Sequence, residues 1–150
     1  MGNVHVELKE FENAISCYQK AIEINPNIVG AHNNLGLVFR RFNDYENAIS
    51  CYEKAIKIQP NHSGAHHNLA LTFKEQGNFE KAIKSHKAAI KYDPENLTHY
   101  HFLSELKDDV LDLPLKEKIV KIITTKSTQT NQAYGNYLLA KYERKAKNYK

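Results

Sequence analysis

The sequence predicts an all-α fold of repeated helical units, and three observations support this prediction. Prolines recur at intervals of 34 residues, at Pro26, Pro60 and Pro94. Residues 29–62 and 63–96 align without a gap and share 14 identities over 34 positions. Apolar residues between the prolines recur at the spacing of one helix face, as in Phe11, Ala14, Ile15 and Tyr18. A fixed period of this length is typical of a repeat architecture.

Two copies carry the full motif. The first reads His32-x2-Leu35-Gly36-x2-Phe39, then Ala48-x3-Tyr52, Ala55 and Pro60. The second reads His66-x2-Leu69-Ala70-x2-Phe73, then Ala82-x3-His86, Ala89 and Pro94. Both resemble the tetratricopeptide repeat, a 34-residue helix-turn-helix with large, small and proline residues at these spacings. The resemblance, closest to bacterial-type arrays, implies a right-handed αα-superhelix, or solenoid, of stacked antiparallel helix pairs.

The repeat frame divides the chain into two regions. Residues 1–96 are predicted to be the repeat array, with a partial repeat at 1–27 and full repeats at 28–61 and 62–96. Residues 97–150 are predicted to continue the solenoid with an irregular helix pair and an incomplete final repeat. Because both ends of the chain fall inside repeat units, the sequence suggests a segment of a longer protein, or open ends that another copy covers.

The elements of the array follow from the motif. Residues 2–9 are expected to be the remnant of one helix and Phe11–Ile24 a second helix, which Pro26 ends. Further helices are predicted at residues 28–42, 45–58, 62–76 and 79–92. The turns inside the pairs are Asn43-Asp44 and Gly77-Asn78, whose residues tolerate a left-handed backbone.

Beyond Pro94 the repeat pattern weakens. A helix is predicted at residues 95–107, and Pro114 is expected in the first turn of a helix with its apolar stripe at residues 115–123. A polar break at residues 127–131 precedes a final helix at residues 132–147, and Asn148-Tyr149 is expected to be a turn.

Composition limits the class of protein. The chain is 41% hydrophobic and 25% charged and contains no apolar run long enough to cross a bilayer. It shows no signal-peptide pattern, so a cytoplasmic location is expected. Cys17 and Cys51 occupy equivalent places in successive repeats, too far apart to bridge, and free thiols are predicted.

The basic charge is concentrated near the C-terminus. Residues 113–150 carry 9 basic and 2 acidic residues, a net +7, whereas residues 1–112 carry 12 and 15, a net −3. Such asymmetry can mark a nucleic-acid-binding tail. Lysine outnumbers arginine 18 to 3, however, and a solvated lysine-rich helix face is the favoured interpretation.

A helical wheel divides the first helix of each full repeat into two faces. Ala31, His32, Leu35, Phe39 and Phe42 form the buried stripe of the second repeat, where His32, like His66 in the third, replaces an aromatic residue. The opposite face is predicted to line a concave, peptide-binding groove. Its residues are Asn33, Asn34, Leu37, Arg40 and Arg41, with His67, Asn68, Leu71, Lys74 and Glu75 in the third repeat.

Asn34 and Asn68 are the most informative groove residues. An amide offers both a donor and an acceptor, so two amides one repeat apart could bind the backbone of an extended peptide. This arrangement resembles the asparagine ladder in the tetratricopeptide groove of O-linked N-acetylglucosamine transferase. Leu37 and Leu71 would add an apolar floor, and Arg40, Arg41 and Lys74 would favour acidic groups. Because Gly30 and Gly64 replace the lysines it needs, the basic clamp of chaperone-tail receptors is not expected.

The predicted function is a protein-interaction scaffold that binds an extended peptide or a partner helix. No enzymatic activity, cofactor or metal is expected, since the chain lacks a phosphate-binding loop and His62 and His66 have no local third ligand. One alternative is a substrate-positioning segment of a larger enzyme, sulfotransferase-like or glycosyltransferase-like. The tail resembles the junction in bacterial tetratricopeptide proteins that continue into a sulfotransferase-like domain. Another is self-assembly into a homo-oligomer through the open repeat ends. Nucleic-acid binding is the least favoured interpretation.

Overall fold

The structure is a computed structural model that describes residues 2–125 and 128–147. These residues form eight α-helices, a short 3₁₀ helix at Asp108–Val110 and no strand. The α-helices are α1 (Gly2–Ile24), α2 (Val29–Arg41), α3 (Tyr45–Ile58), α4 (Ser63–Glu75), α5 (Phe79–Tyr92), α6 (Leu97–Leu106), α7 (Leu113–Thr125) and α8 (Gln129–Lys147). The chain divides inside α5 into an N-terminal unit, residues 1–82, and a C-terminal unit, residues 83–150. The predicted repeat boundaries stay a prediction.

The prediction of two helices before Pro26 is wrong, because residues 2–24 form the single helix α1. In the later copies the turn depends on a residue with a positive φ, which is 61° at Asn43 and 75° at Gly77. The equivalent residue in the first copy is Lys9, followed by Glu10. Both are good helix formers, and neither favours a left-handed backbone. The helix therefore continues through the position at which the later copies turn.

The two predicted turns end α2 and α4 with the same hydrogen bonds. The Asn43 and Asp44 N–H groups donate to the carbonyls of Arg40 and Phe39, at 2.9 and 3.0 Å. Exactly equivalent bonds, 34 residues later, run from Gly77 to Lys74 and from Asn78 to Phe73, at 2.9 and 2.8 Å. This pattern is a Schellman motif, which satisfies the last carbonyls of a helix.

The carbonyl group of each repeat proline forms a hydrogen bond with the aromatic or histidine side chain six residues later. The Nε2 atoms of His32 and His66 lie 2.9 Å from the carbonyl oxygens of Pro26 and Pro60. One repeat later, the Tyr100 hydroxyl donates to the Pro94 carbonyl at 3.1 Å. His32 is buried and His66 half-buried, so these rings take the place of the expected aromatic residue and add a hydrogen bond.

Small residues bring the backbones of the N-terminal unit close together. Ala31, Ala48, Ala55 and Ala65 are buried in its core. Gly36 of α2 lies against the fully buried ring of Tyr52 on α3, and a Cβ atom on Gly36 would be 2.6 Å from Tyr52 Cε1. Burial also raises the pKa of the Tyr52 hydroxyl, so this ring stays neutral. This copy of the repeat requires a glycine at position 36, because the large ring of Tyr52 fills the space that a side chain would occupy.

The C-terminal unit has a core of its own. Its buried residues are Leu97, Tyr100, Leu111, Leu115, Ile119, Ile122 and Leu138. Asn131 of α8 holds the start of α6, because its Oδ1 accepts from the Leu97 N–H and its Nδ2 donates to the Glu95 carbonyl, both at 3.0 Å.

The helices of the C-terminal unit differ from their predicted bounds at the ends. α6 begins at Leu97 rather than at residue 95, because the Asn96 side chain caps it. α8 begins at Gln129 rather than at residue 132, since the Thr128 hydroxyl accepts from the Asn131 N–H at 3.1 Å. Ser127 of the predicted polar break, and Asn148 and Tyr149 of the predicted last turn, lie outside the described residues.

Substituting Gly36→Ala should destabilise the protein by about 1–3 kcal/mol, because the added methyl group overlaps the buried Tyr52 ring. Gly30→Ala in the same helix is the matched control. No atom lies within 4 Å of a Cβ there, so alanine should stabilise by about 0.5–1 kcal/mol. Urea unfolding of the two variants measures both effects. Equal changes in unfolding free energy would contradict the close approach of α2 and α3.

Candidate functional site

The first helices of two successive repeats, α2 and α4, lie side by side in the N-terminal unit. Near their starts, Asn68 Nδ2 donates to Asn33 Oδ1 at 3.0 Å. Near their ends, Arg40 Nη1 lies 3.5 Å from Glu75 Oε1. Each contact joins residues 35 positions apart. One repeat step along the chain therefore brings equivalent faces of the two helices together.

Three half-buried amides cross this surface, and we call Asn33, Asn34 and Asn68 the asparagine row. Asn68 donates to Asn33, and Asn33 Nδ2 donates in turn to Asn34 Oδ1 at 3.3 Å. Among the residues that the structure describes, Asn34 Nδ2 and Asn68 Oδ1 take part in no further side-chain hydrogen bond. The row thus presents a donor at one end and an acceptor at the other.

The other predicted groove residues do not all share one environment. Leu37, Leu71, His67 and Lys74 are half-buried on α2 and α4. Arg40 is engaged by Glu75, with 22% of its side chain exposed, so its charge is partly compensated. It is therefore less available to an acidic ligand than the sequence suggested.

Arg41 lies at a separate pocket between α1 and α2. This pocket has a volume of about 150 Å³ and is lined by Glu10, Phe11, Ala14, Val38, Arg41 and Phe42. The rings of Phe11 and Phe42 pack with their centroids 3.6 Å apart. Arg41 follows Val38 by three residues and so shares the side of α2 that faces α1. Arg41 therefore lies apart from Arg40, although both were predicted to lie on the same groove face.

A cluster of rings that was not predicted from the sequence lies in the C-terminal unit. We call it the aromatic patch, and its residues are His101, Phe102, Tyr134 and Tyr137. The His101 ring stacks on Tyr134 at 4.6 Å between centroids and meets the edges of Tyr137 and Phe102 at 4.7 and 5.1 Å. The repeat period could have indicated this cluster, because His101 and Phe102 follow the predicted groove residues His67 and Asn68 by 34 positions.

A carboxylate lies beside the aromatic patch. Glu105 Oε1 accepts a hydrogen bond from the Tyr137 hydroxyl at 2.8 Å and lies 3.5 Å from Lys141 Nζ. The Tyr137 hydrogen bond, with a smaller contribution from the charge of Lys141, lowers the pKa of Glu105 below its usual range. The same bond raises the pKa of Tyr137. At neutral pH the pair is therefore an ionised carboxylate and a neutral phenol.

The two histidines considered as metal ligands both have structural roles. His62 Nδ1 accepts from the Ala65 N–H at 2.9 Å and caps α4, while His66 is bound to the Pro60 carbonyl. Among the side chains that the structure describes, no group of three or more His, Cys, Asp or Glu residues could hold a metal ion. Over the same residues, no helix combines the length and the apolar character that crossing a bilayer requires.

Comparisons with known proteins identify the family. A model described as "TPR repeat" matches residues 2–41, and one described as "Tetratricopeptide repeat" matches residues 27–95. Together they span residues 2–95, and the chain belongs to the tetratricopeptide repeat family. A search of curated proteins gave no significant match.

Solved structures show the same fold. The first TPR of Spaghetti (RPAP3), bound to the HSP90 peptide SRMEEVD, is 18% identical over 74% of this chain and 88% of that chain, with a TM-score of 0.63. The MamA RS-1 ArsTM double mutant is 22% identical over 82% of this chain and 70% of that chain, with a TM-score of 0.61. The predicted all-α fold of helical repeats, a helical solenoid, is confirmed.

Both cysteines are free, as predicted, but their environments differ. Cys17 is exposed, whereas burial, with a smaller contribution from the charge of Asp44, raises the pKa of Cys51 to about 11. Since the thiolate is the reactive form, only about one Cys51 in a thousand is reactive at pH 8.

Titration with a thiol-reactive disulfide reagent at pH 8 should therefore give a fast phase from Cys17 and a slow phase from Cys51. Cys17→Ser should remove the fast phase, and Cys51→Ser the slow one. The slow phase should accelerate as the pH rises toward 11, because more Cys51 becomes thiolate. Two thiols of equal rate would contradict the burial of Cys51.

Proposed function

We propose that the protein is a non-catalytic interaction module that binds an extended peptide segment of a partner protein on the α2–α4 surface. The single observation that carries this proposal is the asparagine row, whose outer donor and acceptor have no further side-chain partner among the described residues. A cytoplasmic location, which free thiols suit, is part of the proposal.

The asparagine row matches the chemistry of a peptide backbone. An extended chain exposes alternating C=O and N–H groups, and Asn34 Nδ2 and Asn68 Oδ1 offer one donor and one acceptor. Because Asn68, Asn33 and Asn34 are already linked by hydrogen bonds, their side chains are partly ordered before a ligand arrives. Less conformational entropy is then lost on binding. Such contacts hold a backbone without selecting its side chains.

Selectivity would come from the residues around the row. Leu37 and Leu71 are half-buried and offer apolar contact to side chains of the ligand. Lys74 and Arg40 both bring positive charge to this surface, which favours acidic side chains, although Glu75 partly compensates the charge of Arg40. We infer a peptide with apolar and acidic residues as the preferred ligand.

A structural relative supports the proposal. The first TPR of Spaghetti (RPAP3) was solved with a peptide of HSP90 bound, so this fold can hold a short linear segment. The competing proposals, a substrate-positioning segment of a larger enzyme and a homo-oligomer formed through open repeat ends, have no comparable support in the geometry of the described residues.

Peptides selected from a random displayed library should lose affinity for the double variant Asn34→Ala with Asn68→Ala. Two lost backbone contacts are worth about 2 kcal/mol together, or roughly thirtyfold in Kd. Fluorescence polarisation measures the loss, which should be similar for peptides of unrelated sequence. N-methylation of one ligand amide should weaken binding to the unaltered protein but not further weaken binding to the variant.

The matched control is Asn13→Ala with Asn136→Ala, which removes two exposed amides on α1 and α8. Circular dichroism checks that both double variants remain helical. Equal affinity of the selected peptides for the two double variants would exclude the asparagine row as their binding site.

A further inference from the structure

Glu105 presents an oxygen atom with unused hydrogen-bonding capacity. Its bonds from Tyr137 and Lys141 both end on Oε1. Among the residues whose side chains the structure describes, none donates a hydrogen bond to Oε2. The Glu105 side chain is 36% exposed, so this oxygen can be reached from solvent. A carboxylate oxygen of this kind is a strong acceptor for a cationic donor.

The aromatic patch lies beside the same carboxylate. Tyr137 is 41% exposed, and its hydroxyl contacts Glu105. His101 supports the ring by an edge contact at 4.7 Å and is itself stacked on Tyr134. Phe102 is fixed in turn by a parallel stack with His86 at 5.9 Å. The rings therefore form a supported surface rather than isolated side chains.

We propose that Glu105 and the aromatic patch form a binding site for an arginine side chain of a partner protein. The guanidinium lies over the exposed face of Tyr137 and donates to Oε2 of Glu105. Rings attract cations through the negative potential of their faces, and a nearby carboxylate adds a charge-assisted hydrogen bond. Arginine fits better than lysine because its planar group can stack and donate along its edge at the same time.

Two cations of the chain are close to the site and define how it can be occupied. Lys141 Nζ lies 2.6 Å from the Ser104 carbonyl and 3.5 Å from Glu105 Oε1, so it is held on the backbone side of the carboxylate. The charge of Arg144 acts on Tyr137. Both reduce the negative potential and weaken the attraction of any cation, so a ligand has to gain stacking energy as well. A weakly hydrated guanidinium gains more stacking energy than a compact ammonium.

This site belongs to the C-terminal unit and uses none of the residues of the asparagine row. It differs in chemistry as well, since the row offers neutral amides to a backbone and Glu105 offers a charge to one side chain. The inference is therefore independent of the proposed peptide-binding function.

The test is a titration of ¹⁵N-labelled full-length chain with N-acetyl-arginine amide, followed by backbone amide shifts. N-acetyl-citrulline amide, which has nearly the same shape but no charge, is the matched ligand. Arginine should shift the amides around Glu105 and Tyr137 and bind about tenfold more tightly than citrulline, as expected for a charge-assisted bond. Glu105→Gln keeps an acceptor for Tyr137 but should lose this tenfold preference.

Four further variants separate the roles of the groups. Glu117→Gln, an exposed carboxylate on α7, should leave the preference unchanged. Tyr137→Phe keeps the ring and should retain more affinity than Tyr137→Ala, which removes it. The variant Asn34→Ala with Asn68→Ala should respond to arginine as the unaltered protein does, whatever the outcome for peptides.

Several results would overturn the proposal. These are equal binding of arginine and citrulline, equal effects of Glu105→Gln and Glu117→Gln, or no shifts around Tyr137. A stronger response to N-acetyl-proline amide than to the arginine probe would assign the aromatic patch to a neutral ligand instead.

Discussion

A hydrogen bond between a ring and the carbonyl of the proline six residues earlier fixes how each first helix follows the preceding one. It occurs at His32, His66 and Tyr100, and the acceptors are the carbonyls of the repeat prolines. Proline ends a helix because it has no N–H, and the ring then satisfies its carbonyl. Each bond contributes only about 1 kcal/mol, but the same bond recurs after each of the three repeat prolines.

The arrangement of α2 and α4 depends on this constraint. Because α2 and α4 start in the same way after their prolines, residues 35 positions apart meet as Asn33 with Asn68 and Arg40 with Glu75. The same frame carries different side chains in each unit. Asn34 and Asn68 occupy one predicted groove position in the two repeats of the N-terminal unit, and Phe102 occupies the equivalent position in the C-terminal unit. A constant backbone frame can therefore support separate ligand chemistries.

Much of the fold could be predicted from local chemistry. Asn43 and Gly77 adopt the positive φ that their residue types favour, and Ala48 and Ala55 are buried where helices approach. The continuous helix α1 differs from the repeat pattern, which predicts a turn at Lys9 and Glu10. These two residues favour a helix and not a turn. The aromatic patch was missed because Tyr134 and Tyr137 join His101 only through the packing of α8 against α6.

By itself, the sequence determined the period, the helical units, the turns and the residue types along each helix face. These depend on backbone preferences and on apolar spacing, which are local properties. Only the tertiary structure decided which polar atoms are already bonded: Arg40 is paired with Glu75, while Asn34 Nδ2 and Glu105 Oε2 have no side-chain partner among the described residues. Whether a polar atom can serve a ligand depends on neighbours more than thirty residues away, and no local pattern specifies them.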